Sequence, residues 1–346
     1  MLPVTTRIRT ALTVGLVATA ILSLSGCADS GSSGTGAVPL VATATPPAVP
    51  LVATATLPPV TAIPTPPPTL AVTAPPRDDL AALSDEFDNA TTLAQWKNLA
   101  TVEGFPNQAE TLDINTTSPG QLYLMPYTSG WFADFRGILL YKEVTGDFDV
   151  TTRIEATSKS GPVPKRTYSL GGLMARTPRT STPATWLPLH ENWIFINTGY
   201  GDTAPNRKGK AQMETKTTVE SDSTLELVAI PNGPVDIRIV RIGPTFVMLY
   251  RPAGRAWVVS KRYQRPDMPA TLQVGLDAYT NWESIDEEGG AEAFNRTLVT
   301  HPALPPDLLV HSDYLRFTRP HVSAAVRNQL ADRATADERV LQLLSP

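Results

Sequence analysis

From residue 79 onward the sequence predicts an all-β fold, a two-sheet antiparallel sandwich followed by a short helical segment. Three observations predict it. Apolar and polar residues alternate over short runs, Gly, Pro, Asn and Asp separate the runs, and no long helical pattern stands between about a dozen of them. A propeller is disfavoured, because no repeat recurs at blade spacing.

The first element is not part of that fold. Arg7 and Arg9 precede the uncharged apolar run Ala11 to Leu22, and Leu24-Ser25-Gly26-Cys27 follows. A run shorter than the roughly 20 apolar residues of a membrane span, behind a basic start, reads as a signal peptide. Small residues before a cysteine are the pattern of a bacterial lipoprotein, whose thiol takes the lipid. Residues 1–27 are therefore expected to direct export, and Cys27 to hold the mature chain on the outer face of a membrane. Cys27 is the single cysteine in 346 residues. No thiol remains for a disulfide, a metal site or a nucleophile, and the folded part has only its core to hold it together.

Residues 28–78 form the second element. Pro39-Leu40-Val41-Ala42-Thr43-Ala44-Thr45 recurs as Pro50-Leu51-Val52-Ala53-Thr54-Ala55-Thr56, and Pro66-Pro67-Pro68 follows. Such a composition buries no core and favours extended polyproline II, so this stretch is expected to be a disordered tether. At ~3.1 Å per residue it would reach on the order of 100 Å.

Residues 79–320 are the expected sandwich. In Phe148 to Glu155, Phe148, Val150 and Ile154 take one face and Asp149, Arg153 and Glu155 the other; Val235 to Ile239 and Leu272 to Tyr279 alternate likewise. Further strands are expected at Gln121 to Pro126, Gly137 to Tyr141, Leu170 to Arg176, Trp193 to Thr198, Leu225 to Ile230, Thr245 to Tyr250, Trp257 to Arg262 and Tyr314 to Thr318. Residues 321–346 close the chain with one or two helices, for which Thr335 and Glu338 have the spacing of a capping box.

The order of motifs resembles the concanavalin A-like lectin/glucanase superfamily. Asp85-Glu86-Phe87-Asp88 with Leu93 and Trp96 looks like its opening strand. The stretch Gly137 to Val150 looks like a segment of an uncharacterised bacterial branch. Gly171 to Arg176, Asn192-Trp193, Val274-Gly275-Leu276 and Asp313 to Phe317 follow in the expected order. The resemblance covers about Ser84 to Arg319 and implies a jelly-roll sandwich. Such domains serve as sugar-binding modules, glycosidases and adhesion domains, so the fold alone does not choose a function.

A structural calcium tying the first strand to the last is also implied, with Asp85 or Asp88 and Asp313 as oxygen ligands. No other cofactor is required. Laminarinase-like members carry Glu-x-Asp-x-x-Glu on one strand; the nearest approach here, Glu283-Ser284-Ile285-Asp286-Glu287-Glu288, has the wrong spacing. The four histidines, His190, His301, His311 and His321, lack metal-ligand spacing, and no G-x-S-x-G elbow is present. A net charge of -4 without a basic aromatic cluster argues against nucleic acid.

The expected function is a non-catalytic surface module that binds an extracellular glycan or other polymer. A glycoside hydrolase with an atypical carboxylate pair, and an adhesion domain with a protein partner, stay open as alternatives. Sugar rings need aromatic faces and planar polar groups. Arg176, Trp193, Asn197, Asp277, Tyr279 and Trp282 are the candidates. Leu272, Val274, Leu276 and Ala278 claim the core face of their strand. A shallow surface is therefore expected on the other face, with Gly275 as its depression.

Overall fold

The computed structural model describes residues 78–285 and 289–345. Cys27, the tether and Asp286-Glu287-Glu288 lie outside the described residues.

Fourteen described strands form two seven-stranded antiparallel sheets. The first runs β1 (Lys97–Asn98), β4 (Ile138–Thr145), β13 (Thr271–Tyr279), β6 (Ser169–Arg176), β7 (Trp193–Tyr200), β8 (Gln212–Val219) and β9 (Asp222–Ala229). The second runs β12 (Val258–Gln264), β11 (Thr245–Pro252), β10 (Val235–Ile242), β5 (Phe148–Ser158), β14 (Leu308–Thr318), β3 (Leu122–Pro126) and β2 (Ala109–Ile114). The two inner faces supply one core. Leu140, Leu173, Ile196 and Val274 of the first sheet meet Val150, Ile237, Phe246 and Val310 of the second in a single cluster. This is a two-sheet antiparallel sandwich of the jelly-roll kind.

Every strand read from alternation is present, whereas the Asp85 to Asp88 segment, expected as an opening strand, makes only a single bridge from Asp85 to Leu315. Two substantial ones were not expected. β2 is an edge strand, Ala-Glu-Thr-Leu-Asp-Ile, and β8 is Gln-Met-Glu-Thr-Lys-Thr-Thr-Val. In β8 the core contact is Met213, while Glu214 and Lys216 point to the opposite face and are buried there too.

The first segment is tied to the last strand by backbone. Asp85 N donates to Leu315 O and Leu315 N to Asp85 O, both at 2.8 Å. The Asp85 carboxylate accepts from Phe87 N at 3.0 Å and from Trp96 Nε1 at 2.9 Å. Asp313 accepts from Gln121 Nε2 at 2.7 Å, and Asp88 is exposed. The three carboxylates expected to share a calcium therefore have separate partners or none. Among the described residues no group of three or more acids, histidines or cysteines gathers as a metal site.

The C-terminal helices, α3 (Ala324–Ala331) and α4 (Asp337–Leu343), pack on the outer face of the second sheet. Leu330, Val340 and Leu344 cover Val240, Ile242, Val247 and Leu249. Arg262 of β12 donates to Asp332 O, Arg333 O and Thr335 O, satisfying carbonyls of the connection. The expected capping box does not form. Ala336 precedes α4 as its N-cap, and the Thr335 hydroxyl instead reaches back to Gln329 O at 2.7 Å. Ser323 does cap α3, accepting from Val326 N at 3.3 Å.

Candidate functional site on the covered face of the first sheet

Strand alternation brings five of the six expected ligand-binding residues to the outer face of the first sheet. It does not leave them open. Arg176, Trp193 and Asn197 are 0 % exposed, and Asp277 and Tyr279 are 1 % exposed. The expected shallow surface is thus a buried layer. Gly275 is no depression either: a Cβ there would lie 2.0 Å from Leu140 O, so the neighbouring strand already fills the space.

The cover is the segment leading into β4. Trp131 is fully buried, meets Trp193 edge-on at a centroid distance of 5.8 Å, and donates Nε1–H to Ile138 O at 3.2 Å. Trp193 stacks on Phe195 at 5.2 Å with the rings 5° from parallel, and Phe195 approaches Tyr279 at 5.9 Å. Trp282, the sixth expected residue, lies outside this layer. It packs edge-on against Phe132 and Phe135. A Cβ on Gly130 would meet its ring at 2.6 Å, so Gly130 permits the close approach. Phe294 of α2 (Gly290–Asn295) packs on Phe135 in turn.

Beneath this cover lie two polar regions. In the first, Arg176 donates to both carboxylate oxygens of Glu191, at 2.8 and 2.9 Å, and to Glu103 and Gln273 at 2.8 Å each. Glu191 also takes Arg179 at 2.7 Å, and Glu103 takes Arg136. Burial works against the charge on Glu191, yet Arg176 and its neighbouring guanidinium groups hold its carboxyl down at about 2. Arg176 does not reach Glu155, its possible partner across a sheet face. Glu155 belongs to β5 in the other sheet.

In the second region the register sets Asp277, Gly172, Asn197 and Glu214 in one row across β13, β6, β7 and β8. Gly172 has no side chain, which lets Asn197 Nδ2 reach over β6 to Asp277 Oδ2 at 2.7 Å. A Cβ on Gly172 would lie 2.4 Å from Asn197 Oδ1 and 2.2 Å from Ile196 O. The second carboxyl oxygen of Asp277, Oδ1, and the amide oxygen of Asn197, Oδ1, have no hydrogen-bond partner among the described residues. Burial, against the Asn197 hydrogen bond, pushes Asp277 up to about 8, so the neutral acid is favoured at physiological pH. Tyr279 donates to Glu214, and burial together with the Glu214 charge raises the phenol well above its ordinary range.

Lys216 completes this region. Its Nζ pairs with Glu214 at 2.9 Å and donates to Trp131 O at 2.8 Å. Rings of Phe195 and Tyr279 lie 4.9 and 5.1 Å away. Burial lowers its pKa, with Glu214 opposing. Trp131 is therefore held at both ends of its residue, by its indole on Ile138 and by its carbonyl on a buried ammonium.

Glu103, Arg136, Glu191, Glu214 and Lys216 were not among the expected site residues. Only Glu214 and Lys216 left a trace, as charges at i and i+2 in a threonine-rich run that also contains Met213. Glu103 and Glu191 come from loops and a five-residue helix, α1 (Leu99–Glu103), where no periodicity marks them.

Taken together, the fold and this face define a jelly-roll sandwich whose first sheet is closed on its outer side by an aromatic plug over paired polar groups. No family model matches the sequence, and no curated protein does. Among solved structures, a functionally unknown protein from Saccharomyces cerevisiae aligns at 14 % identity and a TM-score of 0.44, over 66 % of this chain and 99 % of that one. A basic winged bean lectin aligns at 13 % identity and 0.41, over 69 % and 98 %. A xylan beta-1,4-xylosidase from Bacillus halodurans aligns at 14 % identity and 0.44, over 68 % of this chain but 39 % of its own length. The fold assignment rests on the strand order of the two sheets themselves.

Proposed function

We propose that this protein is a non-catalytic module that binds an extracellular glycan, carried on the outer face of a bacterial membrane by lipid on Cys27. The observation that supports a non-catalytic role is the engagement of the buried acids. On the face where carboxylates gather, Glu103 and Glu191 neutralise arginines, Glu214 is taken by Lys216 and Tyr279, and Asp277 lies sealed beneath the plug. Glycoside hydrolysis needs two carboxyl groups that both reach the same sugar, about 5 Å apart or 6.5–9.5 Å apart. Among the described residues this face presents no open pair of that kind. The glycan reading itself draws on the order of motifs that resembles concanavalin A-like domains. With the sheet face closed, a sugar chain would contact the rim of the plug.

The test is a glycan array probed with the soluble protein, run beside a reducing-end assay on every glycan retained. Retention without release of reducing ends is expected; release would establish a hydrolase. For the anchor, Cys27→Ser should abolish labelling by radioactive palmitate, and undiminished labelling would exclude it.

One observation favours the enzymatic alternative. Asp277, titrating near 8 within a row that also holds Glu214, has the protonation state of a general acid. That reading requires the Trp131 segment to open. Trp131→Gly should then raise hydrolysis, and an inactive, still folded Trp131→Gly variant would dismiss it.

A further inference from the structure

The helical cover of the second sheet stops at Arg238, which pairs with Asp149 and donates to Leu344 O at 3.0 Å. Beyond it the outer face carries two rows set by strand register. Tyr314, Arg153, Asp236 and Arg251 form one across β14, β5, β10 and β11. Asp113, Tyr123, His311 and Glu155 form the next across β2, β3, β14 and β5. Their chain neighbours Leu122, Val310, Ile154, Leu315 and Ile237 take the core side. Tyr123, His311, Glu155 and Tyr314 are half-buried, the Arg153 side chain is 42 % exposed, and none of these five joins a buried apolar cluster. The described chain begins at the other end of β14, where Arg319 holds Asp78 and Asp79, roughly 25 Å along the strand from His311.

Three polar groups in these rows are uncommitted. Among the described residues the Glu155 carboxylate takes no hydrogen bond and no ion pair. His311 Nδ1 lies 3.1 Å from Gln121 Oε1, and Gln121 Nε2 donates to Asp313 at 2.7 Å, which fixes the amide. An amide oxygen only accepts, so Nδ1 carries the proton and Nε2 is left as an acceptor in the neutral ring. Burial lowers the His311 pKa against the charges of Glu155 and Asp313, which favours that neutral ring. Asp236 is already held by Arg251 at 2.9 and 2.7 Å, and Arg153 approaches it only through Nε at 3.3 Å, without hydrogen-bond geometry. The terminal nitrogens of Arg153 have no acceptor among the described residues.

Tyr123 meets His311 edge-on at 5.2 Å, which occupies at most one face of its ring. Glu155 stands two strands from Tyr123, ~10 Å away, and Arg153 two residues along β5 from Glu155, ~7 Å away. That spacing suits a chain of rings more than a single ring. Three carboxylates, Asp113, Asp236 and Glu155, share these rows with two guanidinium groups, so the face offers no positive excess to a polyanion. Hydroxyl groups both donate and accept, and they match acceptors and a donor set side by side.

We infer that this open part of the second sheet binds a neutral glycan chain, as a second contact surface apart from the rim of the plug. A sugar ring lies on Tyr123, hydroxyls donate to His311 Nε2 and Glu155, and Arg153 donates to a hydroxyl oxygen. This rests on the glycan reading for the class of occupant; the register and the uncommitted groups supply the place.

The test titrates the full-length protein with cellohexaose, xylohexaose and mannohexaose, and with hexagalacturonate as acidic comparator, while following the His311 ring resonances. At least one neutral hexasaccharide should move them, and hexagalacturonate should act more weakly. Tyr123→Ala and Glu155→Ala should each weaken that binding by about ten-fold. Glu155→Gln, which keeps the shape of the side chain, separates lost binding from lost folding and should weaken it as well. Unmoved resonances with every neutral probe, or wild-type affinity in all three variants, would overturn the inference. Hexagalacturonate as effective as the neutral chains would overturn the neutral part. A His311 shift that grows with protein concentration in the absence of sugar would make this face a contact between copies of the chain, and overturn it too. Glycans retained on the array by wild type and variants alike remove this surface but leave the glycan reading; no retention and no shift removes both.

Discussion

The two sheets face solvent in opposite ways, although each is covered. The second sheet offers an aliphatic stripe, Val240, Ile242, Val247 and Leu249, and two amphipathic helices close it. The first offers a mixed face in which Trp193, Phe195 and Tyr279 alternate with Arg176, Asn197 and Asp277, and a loop closes it with an indole. Helix covering suits a purely apolar stripe, because the helix satisfies its own backbone and asks only for burial. A polar face needs a cover that brings hydrogen-bond partners. Loops and the short helix α1 supply them here: Trp131 O for Lys216, Glu103 and Glu191 for Arg176. Ion pairing therefore carries much of one cover and hydrophobic burial the other.

Removing the helical cover should have the largest effect. Deleting residues 321–346 strips Leu330, Val340 and Leu344 from the stripe, a loss on the order of 5 kcal/mol by area, and exposes a patch prone to association. Denaturant unfolding and light scattering check both; an unchanged midpoint would mean that the helices rest on the sheet without stabilising it.

Next comes the plug. Trp131→Ala should cost about 3–5 kcal/mol, as a fully buried indole is lost over a rigid sheet. It should also admit water to Lys216 and Asp277, so the comparison would fail if hydrogen exchange in β13 stayed at the wild-type rate.

The two polar regions under the plug should respond to pH in opposite senses. Glu191 has a folded pKa of about 2 against an ordinary 4.5, so its contribution is complete above 4.5 and lost as pH falls toward 2. Asp277 has a folded pKa of about 8 against 3.8, so the folded state holds a proton that the unfolded chain has released; its contribution is complete below 3.8 and declines as pH rises toward 8. Asp277→Asn should abolish the decline on the alkaline side without altering the acid limb. A variant that keeps the full alkaline decline would place its origin elsewhere.

The smallest expected effect belongs to the helical cover. Ser323→Ala should cost about 1 kcal/mol through loss of the α3 cap, whereas Glu338→Ala should cost less, because the capping box that would involve it is not formed. Equal losses at the two positions would restore that box.

The sandwich was legible in the sequence because alternation is a local record of a global fact: one side of each strand meets the core. Leu272, Val274, Leu276 and Ala278 announced their face correctly. β8 was not expected because Glu214 and Lys216 interrupt any apolar face in its sequence, and nothing local shows that a loop some eighty residues earlier covers them. The same limit applies to the site. The sequence placed Asp277 and Tyr279 on the face of β13 away from the core, and the register across β6 and β7 sets Arg176, Trp193 and Asn197 beside them. It did not show that this face is closed, or that Gly172 and Gly275 sit against neighbouring backbone and side chains rather than beside a ligand.

By itself, then, the sequence determined the all-β class, most of the strands that build the core and the partition of residues between the two faces of β13, because each depends on periodicity within a few residues. Only the tertiary structure decided what covers those faces and which charges pair beneath the cover. Burial and ion pairing depend on segments as distant as Glu103, Trp131, Arg176 and Lys216 meeting at one place, and no local pattern records that meeting.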